Sequence, residues 1–166
     1  AQGGESATSD TDLALQVAPQ TDTIGGSSVA TSAMTGTVTG VCLCGEIRFE
    51  TTNEPALQVL CHCTDCQTVS GASAYAAYVV PTEALTITQG DPASYEVRAD
   101  SGRTNRRRFC SSCGARVWAE LDEMGFMSVN GLALDDRNHF RPTANLRLDR
   151  APSWCQINTT LESMPG

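Results

Sequence analysis

From residue 37 onward, polar and apolar residues alternate in short runs that turn-forming residues separate. Alternation with a period of two is typical of strands with one buried face. The run at residues 116–121 is interpreted in the same way, and the apolar run at residues 74–80 is short enough for a buried strand. Shorter alternating runs lie at residues 46–50, 85–87, 95–98, 127–129 and 146–148. The pattern predicts a mainly β domain of roughly eight to ten short strands.

The same pattern predicts little helix. No amphipathic segment of normal helical length is present, and at most one or two helical turns follow Cys63, over residues 64–69. Turns are marked instead by Gly90-Asp91-Pro92 and by Asp100-Ser101-Gly102. Proline fixes φ in such turns, and glycine supplies a positive φ.

Residues 1–36 differ in composition from the rest of the chain. They hold four acidic residues and no basic, aromatic or cysteine residue, and Ser, Thr and Gly dominate. This composition is typical of a flexible arm, so we expect an acidic N-terminal arm over residues 1–36 and a folded domain over residues 37–166. Within the arm, Leu13, Leu15 and Val17 alternate with polar or small residues and are able to form an added edge strand.

The chain is acidic, with a formal net charge of −8 from 19 acidic and 11 basic residues, and every basic residue is arginine. This charge argues against nucleic acid or an anionic membrane as the main partner. The local exception is Arg106-Arg107-Arg108. This run is either a solvated charge cluster or an anion clamp, because the planar guanidinium binds a carboxylate through paired hydrogen bonds.

Seven of the eight cysteines fall into closely spaced groups on separate segments, and Cys155 stands alone. An even number of cysteines also suits a disulfide framework, but pairs such as Cys42-x-Cys44 and Cys110-x-x-Cys113 have the spacing of metal knuckles. Metal thiolates persist most easily in a reducing compartment, so the prediction is a cytoplasmic protein.

Two of these knuckles have the same form, a thiol pair that ends in glycine and leads into a predicted strand. Together they supply Cys42, Cys44, Cys110 and Cys113, the usual ligand set of a structural zinc. The glycines let the chain curl around the metal and turn amide N–H groups toward sulfur.

The remaining cluster is Cys61, Cys63 and Cys66. Zinc favours four ligands, so three thiolates leave one position open, and an incoming thiol is a natural fourth ligand. Two alternatives stay open: Cys155 closes the site and makes it structural, or Cys63 and Cys66 act as a redox pair. His62 lies between two of the ligands, and we expect it to support the site rather than bind the metal.

Four motifs in order resemble the glutathione-dependent formaldehyde-activating enzyme, or centromere protein V-like, family. They are Cys42-Leu43-Cys44-Gly45, Cys61-His62-Cys63-Thr64-Asp65-Cys66, Phe109-Cys110-Ser111-Ser112-Cys113-Gly114 and Ala151-Pro152-Ser153-Trp154. The resemblance covers about residues 37 to 160 and implies a β-tent fold, a complex of small coiled antiparallel sheets. It also implies the same division of zinc ligands, a catalytic three-cysteine zinc, and a lyase that makes or breaks S-hydroxymethylglutathione. The N-terminal arm is not part of the pattern.

The leading hypothesis is therefore a zinc-dependent carbon–sulfur lyase in which a substrate thiol, with glutathione as the example, enters the open zinc site and adds to a small aldehyde. The candidate anion contacts are Arg106, Arg107 and Arg108. Because side chains alternate along a strand, not all three can face one pocket. Tyr75, Tyr78 and Trp154 are candidate pocket walls or plain core residues. No general base is identified, since His62 and His139, the only histidines, have no partner visible in the sequence.

Three other hypotheses fit the same residues. The first is a lyase for another aldehyde or imine adduct in a biosynthetic pathway. The second is a non-enzymatic interaction module with two structural zincs, and the third is redox sensing with metal release on oxidation. A homodimer is compatible with each.

Overall fold

The computed structural model describes residues 36–99 and 102–165, and within them eleven strands and one α-helix are present. The mainly β prediction with little helix is therefore confirmed. The strands are β1 (Thr37–Val41), β2 (Arg48–Thr52), β3 (Leu57–Cys61), β4 (Tyr75–Pro81), β5 (Thr86–Gln89), β6 (Ala93–Arg98), β7 (Thr104–Phe109), β8 (Arg116–Leu121), β9 (Phe126–Asn130), β10 (Ala144–Leu146) and β11 (Glu162–Met164), and the helix is α1 (Thr64–Ser70). Among the described helices, none is long and apolar enough to cross a membrane.

The strands form two sheets. The larger has eight strands in the order β11-β10-β3-β4-β9-β8-β7-β6, and the smaller has the order β1-β2-β5. Neighbours in both sheets are antiparallel except β10, which pairs in parallel with β3 on one side and with β11 on the other. The larger sheet is therefore mixed. The assignment of the domain to the β-tent fold stays a prediction.

The main hydrophobic core lies between the two sheets. Tyr78, Val129 and Trp118 are paired across β4, β9 and β8, so their side chains share one face of the larger sheet, and all are almost fully buried. Phe49 of the smaller sheet meets Trp118 edge to face, with ring centroids 5.5 Å apart. Gly40 is required beside this pair, because a Cβ there would overlap the ring of Phe49.

A second, smaller core occupies the other face of the larger sheet. It consists of Val59, Tyr75, Ala77 and Ala144, with Cys66 of α1 packed against it. Val59 pairs with Ala77 and with Ala144, so these side chains project to the same side. The cysteine-bearing helix is therefore held against a tightly packed part of the sheet.

The strands that were predicted from alternation are present, with one exception. The prediction of a strand over residues 146–148 is wrong. Strand β10 ends at Leu146, and a 3₁₀ turn begins at Leu148. The reason is Arg147, whose φ of 59° lies in the left-handed region and ends the extended run. The predicted arm, apart from Gly36, and its candidate edge strand at residues 13–17 lie outside the described residues, so both stay predictions.

Candidate functional site

The four cysteines predicted to form a structural site lie together. The sulfur atoms of Cys42, Cys44, Cys110 and Cys113 are all within 4.8 Å of one another. Sγ of Cys44 is 3.6 Å from Sγ of Cys42 and 3.6 Å from Sγ of Cys110. Four sulfurs around a tetrahedral zinc at the usual bond length would be about 3.8 Å apart, so the cluster fits a metal of that kind.

The backbone around this cluster shows why the sequence folds this way. Gly45 and Gly114 follow the two knuckles with φ of 85° and 72°, so each chain reverses and turns its amides toward sulfur. The amide of Ile47 donates to Sγ of Cys42 at 3.2 Å. A backbone hydrogen bond from Ala115 is the main cause that lowers the pKa of Cys113 to about 6. At Cys113 the knuckle thus favours the thiolate, the form that binds metal. At Cys44 the backbone hydrogen bond from Glu46 favours the thiolate as well, but burial and the neighbouring thiols outweigh it and raise the pKa to about 12.

The second cluster brings Cys61, Cys63 and Cys66 together, with their sulfurs within 4.8 Å of one another. Cys61 ends β3, while Cys63 is the N-cap of α1 and its sulfur accepts a hydrogen bond from the amide of Cys66 at 3.3 Å. Gly71 ends the helix with a φ of 65°. In the described part of the chain, no fourth thiol, imidazole or carboxylate lies that close to all three sulfurs.

The three thiols of this cluster oppose one another's ionisation. Hydrogen bonds from Cys61 and Cys66, with a further contribution from the charge of Arg107, hold the pKa of Cys63 far below its ordinary value. The same bond to Cys63 raises the pKa of Cys61 to about 11, and the two neighbouring sulfurs raise the pKa of Cys66. A divalent metal would remove this conflict, so the donor set fits a zinc ion with one position left for another ligand.

His62, between two of these cysteines, is not one of the mutually close ligand atoms, and both of its ring nitrogens have partners elsewhere. The side chain is buried, with Nδ1 3.1 Å from the carbonyl oxygen of Ser73 and Nε2 3.2 Å from Oδ1 of Asn145. The amide nitrogen of Asn145 donates in turn to the carbonyl of Asn158 at 3.0 Å. The C-terminal region therefore fixes the geometry of the three-cysteine loop.

His139 lies at a separate position. Its ring is partly exposed, 3.6 Å from a carboxylate oxygen of Asp136, in the turn that precedes β10. Both histidines therefore have partners in the structure, and His139 belongs to neither cysteine cluster.

The arginine run divides between the two sides of β7. Arg106 and Arg108 bind the carboxylate of Glu120 through hydrogen bonds of 2.7 Å each, and Arg106 also binds Glu96. Arg107 points the other way, where its Nη2 is 2.7 Å from Oδ2 of Asp65 on α1. The structure therefore places Arg107 beside the three-cysteine cluster, whereas the carboxylates of Glu96 and Glu120 already occupy Arg106 and Arg108. Substrate contacts by Arg106 and Arg108 stay a prediction.

The three aromatic candidates differ in burial. Tyr75 and Tyr78 are buried core residues, and burial raises the pKa of Tyr75 to about 12, so its hydroxyl stays protonated at neutral pH. Trp154 is 74% exposed, which corrects the expectation that it is a core residue. The reason is the tight turn closed by the amide of Cys155 on the carbonyl of Pro152, which leaves the indole on its outer side.

Cys155 does not join either cluster. Its sulfur is 3.8 Å from the carbonyl oxygen of Gln156, and it is absent from both groups of neighbouring sulfurs. Within one chain, therefore, Cys155 does not close the three-cysteine site.

A cavity of about 650 Å³ lies beside the C-terminal end of α1, and its wall includes none of Cys61, Cys63 and Cys66. Its wall includes Val69 and Tyr75 on one side and Arg116 with Leu132 on the other, and it reaches Cys42 and Cys113 of the four-cysteine cluster. The guanidinium carbon of Arg116 lies 4.0 Å from the centroid of the Tyr75 ring. Sequence reasoning missed Arg116; the available signal was its place at the start of a strand, directly after the Cys110–Gly114 knuckle.

Comparison with known proteins gives a family match. A family model described as glutathione-dependent formaldehyde-activating enzyme matches residues 37–150. A crystal structure of a Rhodobacter sphaeroides protein, a structural genomics target, is similar with 20% sequence identity and a TM-score of 0.48, over 59% of this chain and 88% of that one. No curated protein matches the chain.

Proposed function

Because the chain belongs to the glutathione-dependent formaldehyde-activating enzyme family, we propose that it is a zinc-dependent carbon–sulfur lyase that makes or breaks a thiol–aldehyde adduct such as S-hydroxymethylglutathione. The observation that carries this proposal is the three-cysteine cluster, which gathers three sulfurs and lacks a fourth donor among the described residues. A closed four-cysteine site elsewhere in the same domain makes the contrast clear.

The two clusters would hold zinc for different purposes. Cys42, Cys44, Cys110 and Cys113 form a full ligand set that braces the two knuckles. Cys61, Cys63 and Cys66 would hold a zinc ion whose Lewis acidity, when bound, keeps a substrate thiol ionised at neutral pH.

The proposed reaction balances with two substrates. The sulfur of the thiol attacks the aldehyde carbon, a C–S bond forms, and the π electrons of the carbonyl move to oxygen, which takes up a proton. Cleavage is the reverse. The chain contributes by fixing the three sulfurs through α1 and through His62, and by placing the positive charge of Arg107 beside Cys63. Holding both reactants in one site replaces a bimolecular encounter by a local one.

A cytoplasmic location is part of the proposal. All eight cysteines are free thiols in the structure. Ligand thiols are kept available for metal most easily where the surroundings are reducing.

Exchange NMR with glutathione and formaldehyde tests the proposal. We expect the zinc-loaded protein to accelerate exchange between free and hydroxymethylated glutathione, and we expect Cys63→Ser to reduce the rate to that of the uncatalysed reaction. Cys155→Ser is the matched control and should retain full acceleration, because this thiol lies outside both clusters.

Two results would overturn the proposal. One is a native rate no faster than the solution reaction, which would favour an interaction module with two structural zincs. The other is a Cys63→Ser variant as active as the native protein.

A further inference from the structure

The side-chain amide of Gln67 joins the three-cysteine cluster to the C-terminal part of the domain. Gln67 follows Cys66 on α1, and its Nε2 donates to the carbonyl of His62 at 2.5 Å and to the carbonyl of Arg150 at 2.9 Å. The first carbonyl lies between two of the ligand cysteines, and the second ends the 3₁₀ turn at Leu148–Arg150. The two N–H groups of one amide therefore bridge two segments that are distant in the sequence.

A second amide holds the other end of the same C-terminal segment. Nε2 of His62 is 3.2 Å from Oδ1 of Asn145, and Nδ2 of Asn145 donates to the carbonyl of Asn158 at 3.0 Å. Residues 150–158, which we call the C-terminal loop, are thus connected to His62 at both ends. The start is connected through the His62 carbonyl and the end through the His62 ring.

Between these two connections the C-terminal loop has little packing of its own. None of residues 150–158 is buried, and Trp154 in the middle of the loop is 74% exposed. The amide of Cys155 closes a turn there on the carbonyl of Pro152 at 2.9 Å. A segment with so little buried surface opens at a low free-energy cost, so its order depends on how firmly its ends are held.

We propose that Gln67 is a positioning residue through which zinc bound at the three-cysteine cluster orders the C-terminal loop. A metal that binds Cys61, Cys63 and Cys66 would fix the loop between them, and the His62 carbonyl with it. The Gln67 amide connects that carbonyl to Arg150, so the position of Trp154 would depend on whether the cluster is loaded. The inference rests on the proposed function only in the metal at this cluster and not in the lyase reaction.

The bridge requires two N–H donors on a side chain of this length, and the chain offers a matched control. Gln67→Met has nearly the same shape without donors, whereas Gln67→Lys retains N–H groups on a long side chain. Nε2 of Gln89 makes the same kind of bridge beside the four-cysteine cluster, where it donates to the carbonyls of Gly45 and Glu46 at 3.2 Å each. Gln89→Met therefore removes an equivalent bridge from the other cluster.

Hydrogen–deuterium exchange of the full chain tests the proposal with none, one and two zinc ions bound, as counted by native mass spectrometry. Peptides that span residues 42–47, 110–115 and 61–70 show which cluster each zinc ion fills. We expect the amides of residues 150–158 to exchange about tenfold more slowly once the three-cysteine cluster is loaded. This is the change that one or two hydrogen bonds at the ends of the loop would give.

The variants assign this protection to one side chain. In Gln67→Met we expect zinc to leave exchange in residues 150–158 nearly unchanged, and in Gln67→Lys we expect most of the protection to return. Gln89→Met should keep the native protection of residues 150–158. Loss of zinc from the three-cysteine cluster in Gln67→Met, with recovery in Gln67→Lys, would also support a positioning role. If Gln67→Met does not fold, Gln67→Glu, which has no N–H donor when ionised, takes its place.

Two results would overturn the proposal while leaving the proposed function intact. One is a C-terminal loop that exchanges equally fast with and without zinc at the three-cysteine cluster, and the other is native protection in Gln67→Met. Zinc that never protects residues 61–70 would overturn both proposals. Protection that depends on Gln67, in a protein that does not accelerate thiol–aldehyde exchange, would retain the positioning role and reject the lyase.

Discussion

At the scale of single residues, Arg107 is the clearest addition to the cysteine ligands. Its side chain is 10% exposed, its Nη2 binds Asp65 on α1, and its charge helps to lower the pKa of Cys63 after the two neighbouring thiols. Because three thiolates and one zinc ion carry a net negative charge, a fixed cation at this point would stabilise the loaded site. Arg107 would therefore support a metal bound at this cluster from outside its ligand shell.

We predict that Arg107→Gln weakens zinc binding at the three-cysteine cluster by about 10- to 100-fold, as loss of a supporting residue does in other metal sites. Chelator competition on the full chain measures both sites, and the four-cysteine site should keep its affinity. Arg98→Gln serves as the control. Unchanged competition at both sites would show that Arg107 does not act on the metal.

The cysteine ligands could be predicted from the sequence because their spacing is local. The side of β7 on which each arginine lies could not be predicted from the sequence. Alternation shows that Arg107 faces away from Arg106 and Arg108, but the register with β8 and the irregularity between Arg108 and Phe109 decide which side meets α1. The exposure of Trp154 could not be predicted for a similar reason, since the turn that exposes it depends on one backbone hydrogen bond, and its contact with substrate stays a prediction.

At the scale of elements, β7 and β8 are joined by a charge network as well as by backbone pairing. Glu120 is 13% exposed and binds both Arg106 and Arg108. Burial opposes ionisation of this carboxyl, but the hydrogen bonds from Arg108 and Arg106 outweigh that effect and lower its pKa below the ordinary value of 4.5. The ionised form is therefore more stable in the folded state than in the unfolded chain.

We predict that Glu120→Gln lowers the free energy of unfolding by about 1–2 kcal/mol at neutral pH, the loss typical of a charged hydrogen-bonded group. Because the folded pKa lies below the unfolded one, the stabilisation is complete above the unfolded value and is lost as pH falls through the folded value. Denaturant unfolding between pH 7 and pH 3 measures this, with exposed Glu54→Gln as the control. A destabilisation that persists undiminished at low pH would contradict the ionic explanation.

The short helix and several strands differ in how far the sequence determines them. α1 was predictable because Cys63 caps its start and Gly71 ends it, both local effects. β3 reads Leu-Gln-Val-Leu-Cys without clean alternation, and β10 and β11 have three residues each. Such strands exist through pairing with distant segments, so single-sequence periodicity does not mark them.

At the scale of the whole domain, the two cysteine clusters belong to different cores. Cys42 and Cys110 of the closed cluster are part of the larger core, whereas Cys66 of the open cluster packs against the smaller one. The cavity lined by Arg116 reaches Cys42 and Cys113 of the closed cluster and Val69 of α1. The separation of the two clusters would allow one metal to brace the fold while the other remains accessible, and this is the central claim for this protein.

Cobalt substitution with addition of glutathione tests that claim most directly. In the Co²⁺-loaded full chain, we predict that one equivalent of glutathione increases the sulfur-to-cobalt charge-transfer absorption by the equivalent of one thiolate per chain. S-methylglutathione should cause no such increase, and Cys63→Ser should abolish the response while the absorption of the four-cysteine site persists. A spectrum that glutathione leaves unchanged, or a response that survives in Cys63→Ser, would contradict an open thiol-binding site at Cys61, Cys63 and Cys66.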